Sequence, residues 1–120
     1  MKAIVIMNHK LNNDQIEDLK TNWNIDRIDY LNDEEQKRWE IPPELDTEEL
    51  QTHLQPIINR ASQYDFIIIA GELSACLTII NILRNIRCLT ATTKRQSVET
   101  ISGNEVIKKS IFKHVRFREL

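Results

Sequence analysis

Glycine is scarce in this chain, with only Gly71 and Gly103 among 120 residues. A P-loop or the G-x-G-x-x-G turn of dinucleotide-binding domains needs several closely spaced glycines. An ordinary NTPase and a dinucleotide-dependent dehydrogenase are therefore disfavoured. Cysteine is as sparse: Cys76 and Cys88 both lie in apolar surroundings. That fits buried free thiols in a reducing cytoplasm better than a disulfide. With His9, His53 and His114 they show no metal-ligand spacing, so neither a metal nor another cofactor is expected. Aromatic residues make up 6% of the chain and form no interleaved base-stacking pattern. Trp23 and Trp39 read as packing residues. No apolar run is long enough to span a bilayer, because Gly71-Glu72 separates Phe66–Ala70 from Leu73–Leu83 and Arg84 stops the second run. Met1–Met7 is too short for a signal peptide and lacks a small-residue cleavage site. Repeats, low-complexity tracts and linkers are missing as well. The length supports one core, and residues 1–120 read as a single domain.

What the chain does have is a steep division of charge. Residues 84–120 hold nine Lys/Arg against three Asp/Glu, a net +6, whereas the first 83 residues hold seven against fifteen, a net −8. Such a split points to a local site for a polyanion. Two runs carry it, Ala91-Thr92-Thr93-Lys94-Arg95 and Phe112-Lys113-His114-Val115-Arg116-Phe117-Arg118. Strand alternation places Lys108, His114, Arg116 and Arg118 on one face and Ile107, Ile111, Val115 and Phe117 on the other. The competing reading is a solvated edge strand whose cations discourage aggregation.

Hydrophobic patterning gives the order β-α-β-α-α-β-α-β followed by a hairpin. Lys2–Met7 reads as a buried central strand. Asn12 and Gln15 offer a capping box for the next helix, with Leu11 stapled to Ile16. Ile25–Leu31 reads as a second strand and Asp33–Trp39 as a short acidic helix stopped by Pro42-Pro43. A helix then opens at Asp46 with Glu49 three residues on, and Pro56 is expected to kink or break it. Phe66–Ala70 is the clearest buried strand. Leu73–Leu83 is apolar nearly all round and reads as a packed helix. Cys88–Thr92 forms a fourth strand, and Ser97–Ile101, Gly103-Asn104 and Val106–Phe117 form the hairpin. The fold class expected is α/β, an open and mainly parallel sheet flanked by helices with a C-terminal β-hairpin.

In such sheets ligands bind beyond the carboxyl ends of the strands. That rule selects Asn8-His9-Lys10, Gly71–Ser74 and Thr92–Arg95, with His114, Arg116 and Arg118 joining if the hairpin returns to the same edge. Gly71 leaves room for a ligand or for a neighbouring backbone. The helix after it aims free N–H groups at the same place, which suits a phosphate. Glu72 and Ser74 either position a hydroxyl or water or cap that helix, capping being the better reading for Ser74. His9 is placed for general acid or base work, or for hydrogen bonding alone. His53 reads as a surface residue.

Met7-Asn8-His9-Lys10-Leu11, Trp39 with Ile41-Pro42-Pro43-Glu44, Ala70-Gly71-Glu72 and the two basic runs occur here in sequence. In that order they resemble a small CRISPR-associated family, Csx family twenty, linked to type III interference. The family pattern often has Asp where this chain has Glu72. The resemblance spans nearly the whole chain. It implies a Rossmann-like, CARF-like domain that binds cyclic oligoadenylate, and a metal-independent ring nuclease that cleaves cyclic tetra-adenylate to switch antiviral signalling off. A two-fold ring matches a homodimer in which each subunit supplies the same loops. On that reading Lys94 and Arg95 stabilise charge and His9 moves or positions a proton. Asn8, Lys10, Gly71, Glu72, Ser74, Thr92 and Thr93 hold the ring, with His114 and Arg116 beside them. Duplex DNA and membranes are not expected partners. Two rival readings are a binding protein that sequesters the messenger uncut, and an α/β interaction domain whose basic hairpin meets an acidic partner.

Overall fold

A computed structural model describes residues 1–120. Five strands and four helices alternate: β1 Lys2–Ile6, α1 Asn13–Asn22, β2 Arg27–Tyr30, α2 Asp33–Arg38, α3 Thr47–Ala61, β3 Phe66–Ile69, α4 Leu73–Ile82, β4 Arg87–Ser102 and β5 Glu105–Glu119. The strands form one sheet in the order β2-β1-β3-β4-β5. The first three pairings are parallel, and β4 and β5 pair antiparallel. The protein is therefore α/β with a mixed, mainly parallel sheet.

Alternation along the central strands divides the core into two layers. Ile4, Ile6, Ile67 and Ile69 face α3 and α4, meeting Leu54, Ile57, Ala75 and Ile79. Ala3, Val5, Phe66 and Ile68 face α1, meeting Leu11, Leu19, Leu89 and Phe117. Helix starts follow the sequence closely. Asn12 with Gln15, Asn32 with Glu35, and Asp46 with Glu49 each close a reciprocal capping box. Leu11 and Ile16 share the α1-side core, as a staple requires. No helix is long and apolar enough to cross a membrane.

Three expectations fail here, and the break allowed at Pro56 does not occur. Pro56 does not break α3, which runs through it. Pro56 and Thr52, whose carbonyl loses its helical partner, are both exposed, which leaves that oxygen on the solvent side of the helix. His53 is half-buried rather than superficial, its Nε2 lying 2.7 Å from the Arg38 carbonyl. α4 is packed on one side only, with Leu73 71% and Leu77 48% exposed. The fourth strand and the first hairpin strand are one element. Nothing between Arg87 and Ser102 is Gly or Pro, and threonines favour the extended chain, so β4 continues for 16 residues.

The ribbon shapes the molecule. Only Arg87, Cys88 and Leu89 pair with β3, and the rest of β4 pairs with β5 alone. It turns back at Gly103-Asn104, where Gly103 has φ +63°, the positive value a two-residue turn requires at its first position. The radius of gyration is 17.0 Å, against about 14 Å for a compact chain of this length.

Candidate functional site

Strand order reverses between β1 and β3, which lie side by side and lead to opposite flanks of the sheet. Ile6 pairs with Ile69 and Ala70 N donates to the Ile6 carbonyl, so the chains leaving both strands start level with one another. Ile68 pairs with Leu89, which brings Thr92 level with Gly71. Thr92 in turn faces Arg116. Asn8, Gly71, Thr92 and Arg116 thus form a row along one sheet edge, and the ribbon continues outward from it.

The loop after β1 is exposed. Gln36 on α2 donates to the Met7 carbonyl at 3.0 Å and to Asn8 Oδ1 at 3.4 Å, holding the start of the loop. The Lys10 ammonium lies 5.7 Å from the centre of the Tyr30 ring, drawn toward β2. Asn8, His9 and Lys10 line a 210 Å³ hollow with Tyr30, Asp33 and Gln36. His9 has no hydrogen-bond partner within the protein, so its ring is free to meet a ligand.

The space beside Gly71 belongs to Trp39. The buried indole donates from Nε1 to the Ala70 carbonyl at 3.2 Å. A Cβ on Gly71 would stand 2.8 Å from Trp39 Nε1 and Cζ2, and Gly71 has φ +154°. The missing side chain therefore admits an indole, where a ligand or backbone was expected.

Glu72, not Ser74, caps α4. Its carboxylate accepts the Ser74 N–H at 3.0 Å, the Ala75 N–H at 2.9 Å and the Ser74 hydroxyl at 2.7 Å. The Ser74 hydroxyl, followed by the two N–H groups, holds the Glu72 carboxyl below the usual carboxylate range. An anion expected at this helix start meets a carboxylate already in place. Cys76 lies one turn further on, and burial, then the Glu72 charge, pushes its thiol up to about 11. It stays protonated and unreactive at neutral pH.

Thr92–Arg95 is strand, not loop. Thr92 Oγ1 donates to the Arg116 carbonyl at 2.8 Å. Cross-strand partners share a face, and successive residues alternate. Lys94, opposite Lys113, therefore lies on the face of Thr92 and Arg116. Arg95 lies on the other face, where Nε and Nη2 donate to Ser110 Oγ at 3.1 and 2.8 Å. One phosphate can meet Lys94 or Arg95 across the ribbon, but not both.

His114 departs furthest from the expected alternation. The register slips between Thr92 and Thr93, which face Arg116 and His114, so Val115 is an extra residue in β5. The bulge turns His114 to the same side as Phe117, their ring centres 4.9 Å apart. His114 is separated from Arg116 and Arg118 and points at α1, with Nε2 2.7 Å from Asp18 Oδ2. Its side chain is 4% exposed and Nδ1 is buried without a partner. A hollow of 640 Å³ opens there, between Asp14, Asp18 and Trp23 of the α1 region and Lys113–Phe117, against 210 Å³ at the loop after β1. Asp18 escaped the sequence reading because 96 residues separate it from His114. Of the two residues the sequence allowed as caps, the structure selects Glu72, although Glu falls outside the usual N-cap set. No group of three or more His, Cys, Asp or Glu converges to hold a metal ion.

These features define an α/β protein with a mixed five-stranded sheet and a long basic ribbon at the candidate ligand edge. Residues 1–118 match the family described as Uncharacterized protein MJ1673, and the chain belongs to that family. It is 33% identical over 125 residues to Uncharacterized protein MJ1673 of Methanocaldococcus jannaschii, covering 98% of this chain and 95% of that protein. No solved structure matches the chain.

Proposed function

We propose that the protein binds cyclic tetra-adenylate at the β1–β3 edge as a Rossmann-like, CARF-like domain in the cytoplasm, and opens the ring as a metal-independent nuclease of type III CRISPR defence. One observation carries the ligand class. Thr92, Lys94 and Arg116 share a ribbon face that grows from the edge where the strand order reverses, and no carboxylate lies opposite them. The sequence resemblance supplies the identity of the ring.

In this reading the ribose 2′-hydroxyl attacks its adjacent phosphorus. The O2′–P bond forms as the P–O5′ bond breaks, leaving a 2′,3′-cyclic phosphate and a 5′-hydroxyl. The proton lost from O2′ is balanced by one gained at O5′, and His9 serves one of these transfers. Lys94 and Arg116 offset the charge building on the phosphoryl oxygens. Asn8, Lys10 and Thr92 hold the ring, and a second copy supplies the same groups to its other half.

Sequestration without cleavage is the second reading, favoured by the division of Lys94 and Arg95 between two faces and by the Glu72 carboxylate filling the α4 start. Incubation with cyclic tetra-adenylate in EDTA, followed by chromatography and mass measurement, separates the readings. Linear products with a cyclic phosphate end support cleavage. Intact ring recovered from a stable complex supports sequestration, and no binding at moderate salt rejects both.

A further inference from the structure

The 640 Å³ hollow between α1 and the foot of β5 lies on the α1 side of the sheet, away from the ribbon face that carries Lys94. Its α1 wall bears Asp14, Glu17 and Asp18, spaced three and four residues apart and so on one face of the helix. Like charges placed so repel one another, and no Lys or Arg pairs with any of the three. Lys113 and Arg116 border the hollow from β5, but by register their side chains belong to the opposite face of the ribbon. The hollow is acidic at the foot of an arm that is otherwise basic.

The imidazole of His114 lines the same hollow, with its side chain 4% exposed and Nδ1 buried without a partner. Asp18 is ionised at neutral pH and accepts from Asn22 Nδ2 at 2.8 Å, so the 2.7 Å contact with His114 Nε2 has the ring nitrogen donating. A neutral ring with its proton on Nε2 leaves Nδ1 as an acceptor. Buried acceptors with no donor are few in native structures, and each costs stability. The carboxylates and this nitrogen call for the same complement, N–H groups that carry positive charge.

The acidic groups are strung out rather than convergent. No three of them form a set that could hold a metal ion. Asp14 and Asp18 stand one helical turn apart, about 6 Å along the axis. An elongated molecule with ammonium groups at intervals matches that spacing, and Trp23 and Val115 offer apolar surface to the methylenes between them. We propose that the hollow binds a short aliphatic diamine or polyamine, one ammonium lying between Asp14 and Glu17 and another donating to His114 Nδ1 beside Asp18. An anion would meet three carboxylates there. This site goes beyond the nucleotide reading and uses none of the residues assigned to it.

Titration of the unmodified protein with spermidine at low salt, read by proton–nitrogen correlation of the histidine rings, should move the His114 nitrogens and leave those of His9 and His53 still. Propylamine, with one ammonium, should bind about tenfold more weakly, and magnesium chloride at equal ionic strength should leave His114 unmoved. These comparisons need no variant. Asp14→Asn with Glu17→Gln changes two exposed side chains and keeps the His114–Asp18 contact. It should raise the spermidine Kd about tenfold with the ligand-free melting temperature unchanged. A His114 ring that stays still in spermidine overturns the proposal. So does propylamine or magnesium binding as tightly as spermidine, or a folded double variant that binds spermidine as well as the unmodified protein.

Discussion

His114 Nε2 lies 2.7 Å from Asp18 Oδ2, a contact that ties the foot of the ribbon to α1. Burial raises the Asp18 carboxyl, but hydrogen bonds from Asn22 and His114 outweigh it and leave the group below its ordinary 3.8. Asp18 therefore stabilises the fold above pH 3.8, and that contribution is lost as pH falls through the lower folded value. Asp18→Ala leaves both nitrogens of a buried imidazole without partners. A loss of about 2–3 kcal/mol is expected, read by thermal unfolding at neutral pH. An unchanged midpoint would show that the ribbon foot is held by Phe117 alone.

Removing the cap of α4 should expose an anion site. In Glu72→Ala the Ser74 and Ala75 N–H groups lose their acceptor and a negative charge disappears. Chemical-shift titration with inorganic phosphate should then move the Ser74 and Ala75 amides, which stay still in the unmodified protein. In the latter the cap is complete above the ordinary 4.5 and opens as pH falls through the depressed Glu72 value. Amides that remain still in the variant would exclude the α4 start from phosphate binding.

Gly71→Ala tests the indole seat. The new Cβ meets Trp39 at 2.8 Å in a backbone conformation that L side chains rarely adopt. The indole must move and give up its bond to the Ala70 carbonyl, at a cost of about 2–4 kcal/mol. A lower melting temperature and red-shifted tryptophan emission are expected together. Loss of ligand affinity with unchanged stability would instead place the ligand against Gly71.

The two ribbon faces predict unequal roles for neighbouring cations. Lys94→Ala and Arg116→Ala should each weaken cyclic tetra-adenylate binding by about 10- to 100-fold, the worth of a charge-assisted contact. Arg95→Ala should do less, because Arg95 is engaged with Ser110 on the opposite face. Calorimetric titration of the three variants decides the order. A larger loss at Arg95 would reverse the face assignment.

His9→Ala separates binding from chemistry. The ring should bind almost normally and be opened about 10²- to 10⁴-fold more slowly, as for a lost acid or base. Cleavage by the unmodified protein should persist in EDTA. Abolition by EDTA with rescue by a divalent ion would replace the mechanism with a metal-assisted one.

Short-range physics decided what was legible in the sequence. Capping boxes lie within three residues, and Asn12 and Asp46, both readable as helix starts, bond to their own first turn. The isoleucine-rich runs of β1 and β3 mark strands buried on both faces, because no polar side chain interrupts them. Hydrophobic patterning also identified the α/β class, and Gly103-Asn104 identified the turn. The content of the candidate edge needed tertiary structure. One extra residue at Val115 reverses an alternation that sequence reads as unbroken, carrying His114 inward to Asp18. The indole of Trp39 reaches Gly71 across 32 residues of chain and takes the space a ligand was expected to fill. Side-chain type sets what each group can bond. Which group it meets depends on register and packing between segments far apart in the chain.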